Sequence, residues 1–289
     1  MHPAPSIILF TVLSGIGFGM LAFLGFDIDA PKGWTAFWFF LIAFAFAVGG
    51  LLSSTFHLGH PERAWKAFSQ WRSSWLSREG VLAVAALLVM GLYAFLLVFF
   101  DLQLSALGFL GAGLSLATVF ATSMIYAQMK TVPRWHHWSA PVMFLGFAIA
   151  GGALLTGKVT LLIWGLPILG IVQFFGWLSQ DKQDAESETD ITTATGLGSI
   201  GTVRAFEAPH TGDNYLTREM VFRIGRKHAN KLKALAVFFF ALLPVILLLL
   251  PFNHLFGVLA VISHIAGVFL QRWVFFAEAK HVVSHYYGR

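Results

Sequence analysis

Apolar runs of about 20 residues recur along this sequence, and a run of that length crosses the hydrocarbon core of a bilayer as an α-helix. Counting them gives eight spans, at residues 5–26, 34–56, 79–100, 106–128, 139–156, 159–178, 232–250 and 254–276. The runs are apolar on every face, whereas a soluble core helix carries a stripe. Nor do they alternate as the strands of a membrane barrel do. The expected fold is all-α, a polytopic membrane protein with eight transmembrane helices. With 57% hydrophobic residues, 11% charged residues and a mean hydropathy of +0.73, the 289 residues exclude a soluble domain.

Charge orients the spans. Of the 19 Lys and Arg, only Lys32 and Lys158 fall on the short turns that join spans 1 to 2, 3 to 4, 5 to 6 and 7 to 8. The other basic residues gather on the opposite side, so both termini and the long loops are expected in the cytoplasm. Because these residues sit beside apolar runs, the net charge of +5 points to membrane orientation and not to nucleic acid. The N-terminal MHPAPSIILFTVLSGIGFGM lacks a basic leading region and reads as a first transmembrane helix. Without cysteine, the chain forms no disulfide and holds no iron–sulfur cluster through thiolates.

Three regions follow: residues 1–178 with spans 1 to 6, a cytoplasmic loop at 179–231, and residues 232–289 with spans 7 and 8 and a tail. The loop opens on an acidic, mobile-looking DKQDAESETD and closes on a basic YLTREMVFRIGRKH with helical spacing. Its Arg218, Arg223 and Arg226 are the candidates for docking a soluble partner, with a solvated face beside the membrane as the alternative.

The densest polar stretch between two apolar runs is HLGHPERAWKAFSQWRSSWLSREG, residues 57–80. Pro61 suits a first helical position, and Trp65, Phe68, Trp71 and Trp75 recur every three or four residues opposite Arg63, Lys66, Gln70 and Ser74. That pattern describes a short helix lying in the interface, its aromatic side toward lipid or a pocket. His57 and Glu79 bracket the stretch where the chain leaves and re-enters the apolar phase, which places both at one membrane face. A carboxylate at the mouth of an apolar span is costly unless paired or functional. Arg78 is a structural partner for Glu79 in the first case, and the helix N-terminus also favours its charge.

Together, His57 and Glu79 suit two-electron, two-proton exchange with a quinone, the histidine hydrogen-bonding one carbonyl oxygen and the carboxyl moving the proton. Arg78, Trp71 and Trp75 complete the candidate quinone pocket. Haem b is the rival cofactor, but only His264 lies clearly inside a span, with no histidine at matching depth to face it, and no haem is expected. A transporter would need more ionisable residues near the midplane.

HLGHPERAWKAF, then SWLSREG opening the third span and PHTGDNYLTREMVFRIGRKHA before the seventh, resemble the DmsC-type membrane anchor subunits of the dimethyl sulfoxide reductase family over the whole length. The 57–80 stretch is most similar to the SoeC-type anchors of cytoplasmic sulfite dehydrogenases. The resemblance implies an anchor in the bacterial cytoplasmic membrane that binds ubiquinone or menaquinone and no haem. It also implies two partners, a molybdopterin catalytic subunit and a subunit carrying four [4Fe–4S] clusters. In that family the histidine of the HLG motif and the glutamate opening the third span are associated with quinol, and they match His57 and Glu79. The expected function is passage of electrons from sulfite oxidation to quinone. The alternatives are a quinol-oxidising anchor of an S-oxide reductase and a purely structural anchor.

Overall fold

A computed structural model describes residues 2–57, 60–186, 190–207, 212, 228–251 and 253–287, with His57, Pro61 and 285–287 described through their backbone alone. Every regular element among them is helical. The main helices are α1 (Pro5–Phe26), α2 (Gly33–Ser53), α3 (Trp75–Phe100), α4 (Ser105–Ala127), α5 (Ser139–Leu155), α6 (Val159–Glu186), α7 (Ala229–Leu249) and α8 (His254–Ala277). All but α5 are long and apolar enough to cross a bilayer. At 17 residues α5 spans about 25 Å, slightly less than a hydrocarbon core.

With no water in the hydrocarbon, each backbone polar group must be satisfied within its own segment, so all-round apolar runs become helices. Burial then sorts the helices. Along α1, 72% of the most apolar window is buried, and this helix packs against α2, α4 and α5. Small residues set the spacing. A Cβ on Gly19 would meet the Ala148 backbone carbonyl, and Gly25 and Gly108 press backbone to backbone, so α5 and α4 approach α1 closely. Outward faces carry large apolar side chains such as Trp38, Leu88 and Ile168, as lipid contact requires.

Cross-helix contacts fix which ends meet. Thr122 near the end of α4 reaches Glu79 near the start of α3, and Arg134 after α4 pairs with Asp181 late in α6 and Glu278 just after α8. This is the basic end of the bundle. At the opposite end Lys158 pairs with Asp27 at 2.9 Å, and Gln103 Nε2 donates to the carbonyls of Asp27 and Ile28.

Two boundaries differ most from the sequence expectation. Helix α3 begins at Trp75, with Ser74 as its N-cap, four residues before the expected start of the span. Helix α6 runs on to Glu186, so the first half of the acidic stretch is ordered helix and not a mobile tail. Arg134 holds it there, bonding Asp181 at 2.7 Å and Asp184 at 3.4 Å.

Helix α7 contains a wide π turn at Phe238–Leu242. Pro244 has no N–H for the Phe240 carbonyl four residues back, and the Leu243 N–H goes to Phe238. The carbonyls of Phe239 and Phe240 are therefore left over, and α8 supplies their donors: Ser263 Oγ and His264 Nδ1, each at 2.8 Å.

Candidate functional site

Glu79 lies in the second turn of α3, about 6 Å inside the helix start, and is 4% exposed. Its Oε1 accepts a hydrogen bond from Thr122 Oγ1 of α4 at 2.5 Å. Arg78 is not its partner. Consecutive helical residues point about 100° apart, and Arg78 turns outward, donating from Nε to the Trp71 carbonyl and from its terminal nitrogen to the Arg72 carbonyl. The Arg78 guanidinium also lies 4.4 Å above the Trp75 ring.

The 57–80 stretch holds a shorter and tighter helix than its spacing implies, and the aromatic stripe is divided: Trp65 and Phe68 lie on that helix, Trp71 on the turns after it and Trp75 on α3. Pro61–Phe68 form a 3₁₀ helix with Pro in its first turn, and turns carry the chain to Ser74. Phe68 folds back against α3 at Gly80, beside Glu79, while Trp65 and Trp71 stay largely exposed. Trp75 packs edge-on against Phe120 of α4. Trp75 and Arg78 thus stand beside the mouth of Glu79's helix, and Trp71 is linked to it through Arg78. His57 ends the 3₁₀ turn Ser54–His57 that extends α2 at the same end, and its side chain lies outside the described residues. Arg218, Arg223 and Arg226 also lie outside them.

Around Glu79 the interior is more polar than the apolar runs suggest. Thr118, Thr122 and Tyr126 are spaced by four residues, so they share one inward face of α4, and all are buried. Tyr126 sits in an aromatic box of Trp135, Phe144, Phe275 and Phe276, within electrostatic reach of both Glu79 and Arg272. Arg272 belongs not to the solvated cytoplasmic side but to the last two turns of α8, where it is 1% exposed. Its guanidinium stacks on Phe144 at 3.5 Å and donates to Gln271 Oε1, and Gln271 in turn donates to Gln173 of α6. Sequence reasoning misses Thr122, Tyr126 and Arg272, although an Arg inside the run 254–276 and hydroxyls at helical spacing are visible signals.

Below the aqueous face a second charged group ties the loops down. Arg134, mostly buried, bonds Asp181, Asp184 and Glu278, and Lys233 bonds Glu278 at 2.9 Å. Nearby His137 is held between Ser139 and Ser179, and burial together with the Arg134 charge lowers its pKa below the ordinary histidine value. Among the described residues no three His, Cys, Asp or Glu side chains are grouped to hold a metal ion. His264, the only histidine expected deep in a span, spends Nδ1 on the Phe240 carbonyl.

The basic end thus places one buried carboxyl, a group able to hold or release a proton, next to the exposed aromatic side chains of Trp65 and Trp71. No solved structure matches the chain. It is 31% identical to a sulfite dehydrogenase subunit of Allochromatium vinosum, over 99% of both chains. The family model of the DMSO reductase anchor subunit (DmsC) matches residues 1–278. The chain belongs to the DmsC family of membrane anchor subunits.

Proposed function

We propose that this anchor exchanges electrons and protons with membrane quinone on behalf of a molybdopterin subunit and a [4Fe–4S] subunit docked at its basic end. The observation that carries the reading is the Glu79–Thr122 pair, a carboxyl buried one turn inside the membrane at that end. Among the described residues Glu79 has no cationic partner, and a buried intramembrane carboxyl in that position is costly to keep, so it is best understood as functional. In this reading Glu79 gives or takes the proton at one quinone oxygen and His57 hydrogen-bonds the other. Trp71, Trp75 and Arg78 form the entry rim, where the exposed aromatic faces suit a quinone ring and its isoprenoid tail. Quinone supplies the two-electron redox chemistry when bound. Electrons enter or leave through the nearest partner cluster, since the chain holds no cysteine.

The similarity to a sulfite dehydrogenase subunit supports electrons running from sulfite to quinone. Helix α5 is taken as the eighth crossing, which leaves both termini at the basic end. The distribution of Lys and Arg supports a cytoplasmic location, in a bacterium, for that end and for the partners. The basic segment with Arg218, Arg223 and Arg226 is the proposed dock for the soluble subunits.

Glu79→Gln tests the reading in native membranes. Quinone-coupled turnover is expected to vanish while the catalytic subunit still turns over with an artificial dye. Surviving quinone turnover in that variant would remove Glu79 from the mechanism.

A further inference from the structure

We infer that Thr122 is a two-way hydrogen-bond switch that lets Glu79 change protonation state inside the membrane without losing its hydrogen bond in either state. The inference rests on the reading of Glu79 as the proton-exchanging group. A hydroxyl has one proton to donate and two lone pairs to accept with. Thr122 Oγ1 stands 2.5 Å from Glu79 Oε1 and 3.0 Å from the Thr118 carbonyl one turn earlier. Its single proton serves one of these acceptors at a time.

The two contacts correspond to the two states of the carboxyl. When Glu79 is ionised, Thr122 donates to it. When Glu79 is protonated, the carboxylic acid donates to Thr122 Oγ1, and the threonine proton turns to the Thr118 carbonyl. The heavy atoms already stand where both states need them, so the change requires only rotation of one hydroxyl hydrogen. A back-bond from Thr to the carbonyl four residues before is ordinary helix behaviour. What makes this one a switch is the second acceptor, a carboxyl that is itself 4% exposed.

Among the described residues Thr122 is the side-chain hydrogen-bond partner of Glu79. Helices α1 and α2 carry no ionisable side chain along their lengths. On α3 the adjacent Arg78 is committed to the carbonyls of Trp71 and Arg72. The 61–68 turn brings Phe68 beside it at Gly80. From α4 come Thr122 and Tyr126, and Tyr126 in turn interacts with Arg272 of α8. Each exchange moves two electrons and two protons: one proton passes between the Glu79 carboxyl and one quinone oxygen and is then replaced from or released to the basic face, and the second passes between the other quinone oxygen and the basic face directly. The electrons move between quinone and the partner's iron–sulfur cluster, and Thr122 neither gains nor loses a proton.

The experiment compares Thr122→Val, which keeps the shape and removes the hydroxyl, with Thr122→Ser, which keeps the hydroxyl. Both are made in the assembled complex in native membranes, with dye turnover used to normalise for the amount of complex. Thr122→Val is expected to slow quinone-coupled turnover about tenfold or more, the size of losing a hydrogen bond to a charged group. In infrared difference spectra between oxidised and reduced membranes, the carboxylic acid carbonyl band should move to the position of an acid without that bond. Thr122→Ser should restore both. Wild-type rate and an unmoved band in Thr122→Val would overturn the switch. A slowed rate that Ser does not rescue would also overturn it, by showing a packing role. Glu79→Gln separates the two levels: loss of turnover there with a wild-type Thr122→Val overturns the switch alone, whereas survival there overturns the reading of Glu79 and the switch with it.

Discussion

Arg78 and Glu79 are neighbours in the chain and face opposite surroundings. The guanidinium closes over the carbonyls of Trp71 and Arg72 at the rim, and the carboxyl turns inward to Thr122. Had the two paired, Glu79 would be a neutralised surface carboxylate, and the proton exchange proposed for it would have no buried carboxyl to run on. The helical step between adjacent residues forbids that pairing and assigns each side chain its own task.

Arg78 therefore orders the segment that precedes α3. Arg78→Ala removes both donors to the carbonyls and the cover over the Trp75 ring. Because these contacts are exposed, the stability loss should be about 1 kcal/mol. Amide exchange across 69–76 should nevertheless speed up several-fold, as local opening is controlled by local contacts. Peptides covering 69–76 that exchange at the wild-type rate would show that Arg78 does not order the segment.

Arg134 is expected to matter more for stability. It is mostly buried and serves three carboxylates from α6 and the α8 terminus. Removing Arg134 leaves Asp184 without its cation and leaves Glu278 and Asp181 to Lys233 alone, at a cost of about 3 kcal/mol. Arg134→Ala should melt well below wild type in detergent, and Arg134→Lys should fall between, having fewer donors for three acceptors. A change under about 1 kcal/mol in the Ala variant would show the group to behave as ordinary surface pairs.

The membrane helices are legible in the sequence because their apolar character runs around the whole helix and needs no partner to be recognised. Features that depend on distant partners are not legible. The helical continuation of α6 through Asp181 and Asp184 exists because Arg134, far away in sequence, meets it. Glu79 stands out as a charge at an apolar boundary, but its partner is Thr122, a residue type that usually bonds its own helix. Arg272 is visible inside the last apolar run, yet its charge alone assigns it to the solvent side. The structure tolerates it within α8 because Phe144 offers its ring face and Gln271 its side-chain oxygen.

His137 makes stability pH-dependent in one direction. Burial and the neighbouring Arg134 lower its pKa in the folded chain below the ordinary histidine value of 6.5. Protons then bind the unfolded chain more readily, so stability is full above pH 6.5 and is lost as pH falls from there toward the depressed folded value. Melting temperature measured downward from about pH 7.5 should decline below about 6.5, and His137→Gln should flatten part of that slope. An identical slope in the variant would assign the acid sensitivity to other groups.

Pro244 and His264 are coupled through one carbonyl. Lacking an N–H, Pro244 leaves the Phe240 carbonyl free inside α7, and His264 Nδ1 donates to it from α8 at 2.8 Å. His264→Ala alone should orphan that carbonyl in a fully buried setting and cost about 1–2 kcal/mol beyond the packing loss. Pro244→Ala alone gives the carbonyl a second, intrahelical donor that competes with the histidine and should change stability little. In the double variant the new N–H at 244 can take over the carbonyl, so the His264→Ala penalty should shrink. A double-mutant cycle in unfolding free energy is expected to show a coupling of about 1 kcal/mol of that sign. Strict additivity would mean that the π turn in α7 is held by the packing of Phe239 and Phe240 against α8, and not by the missing proline donor.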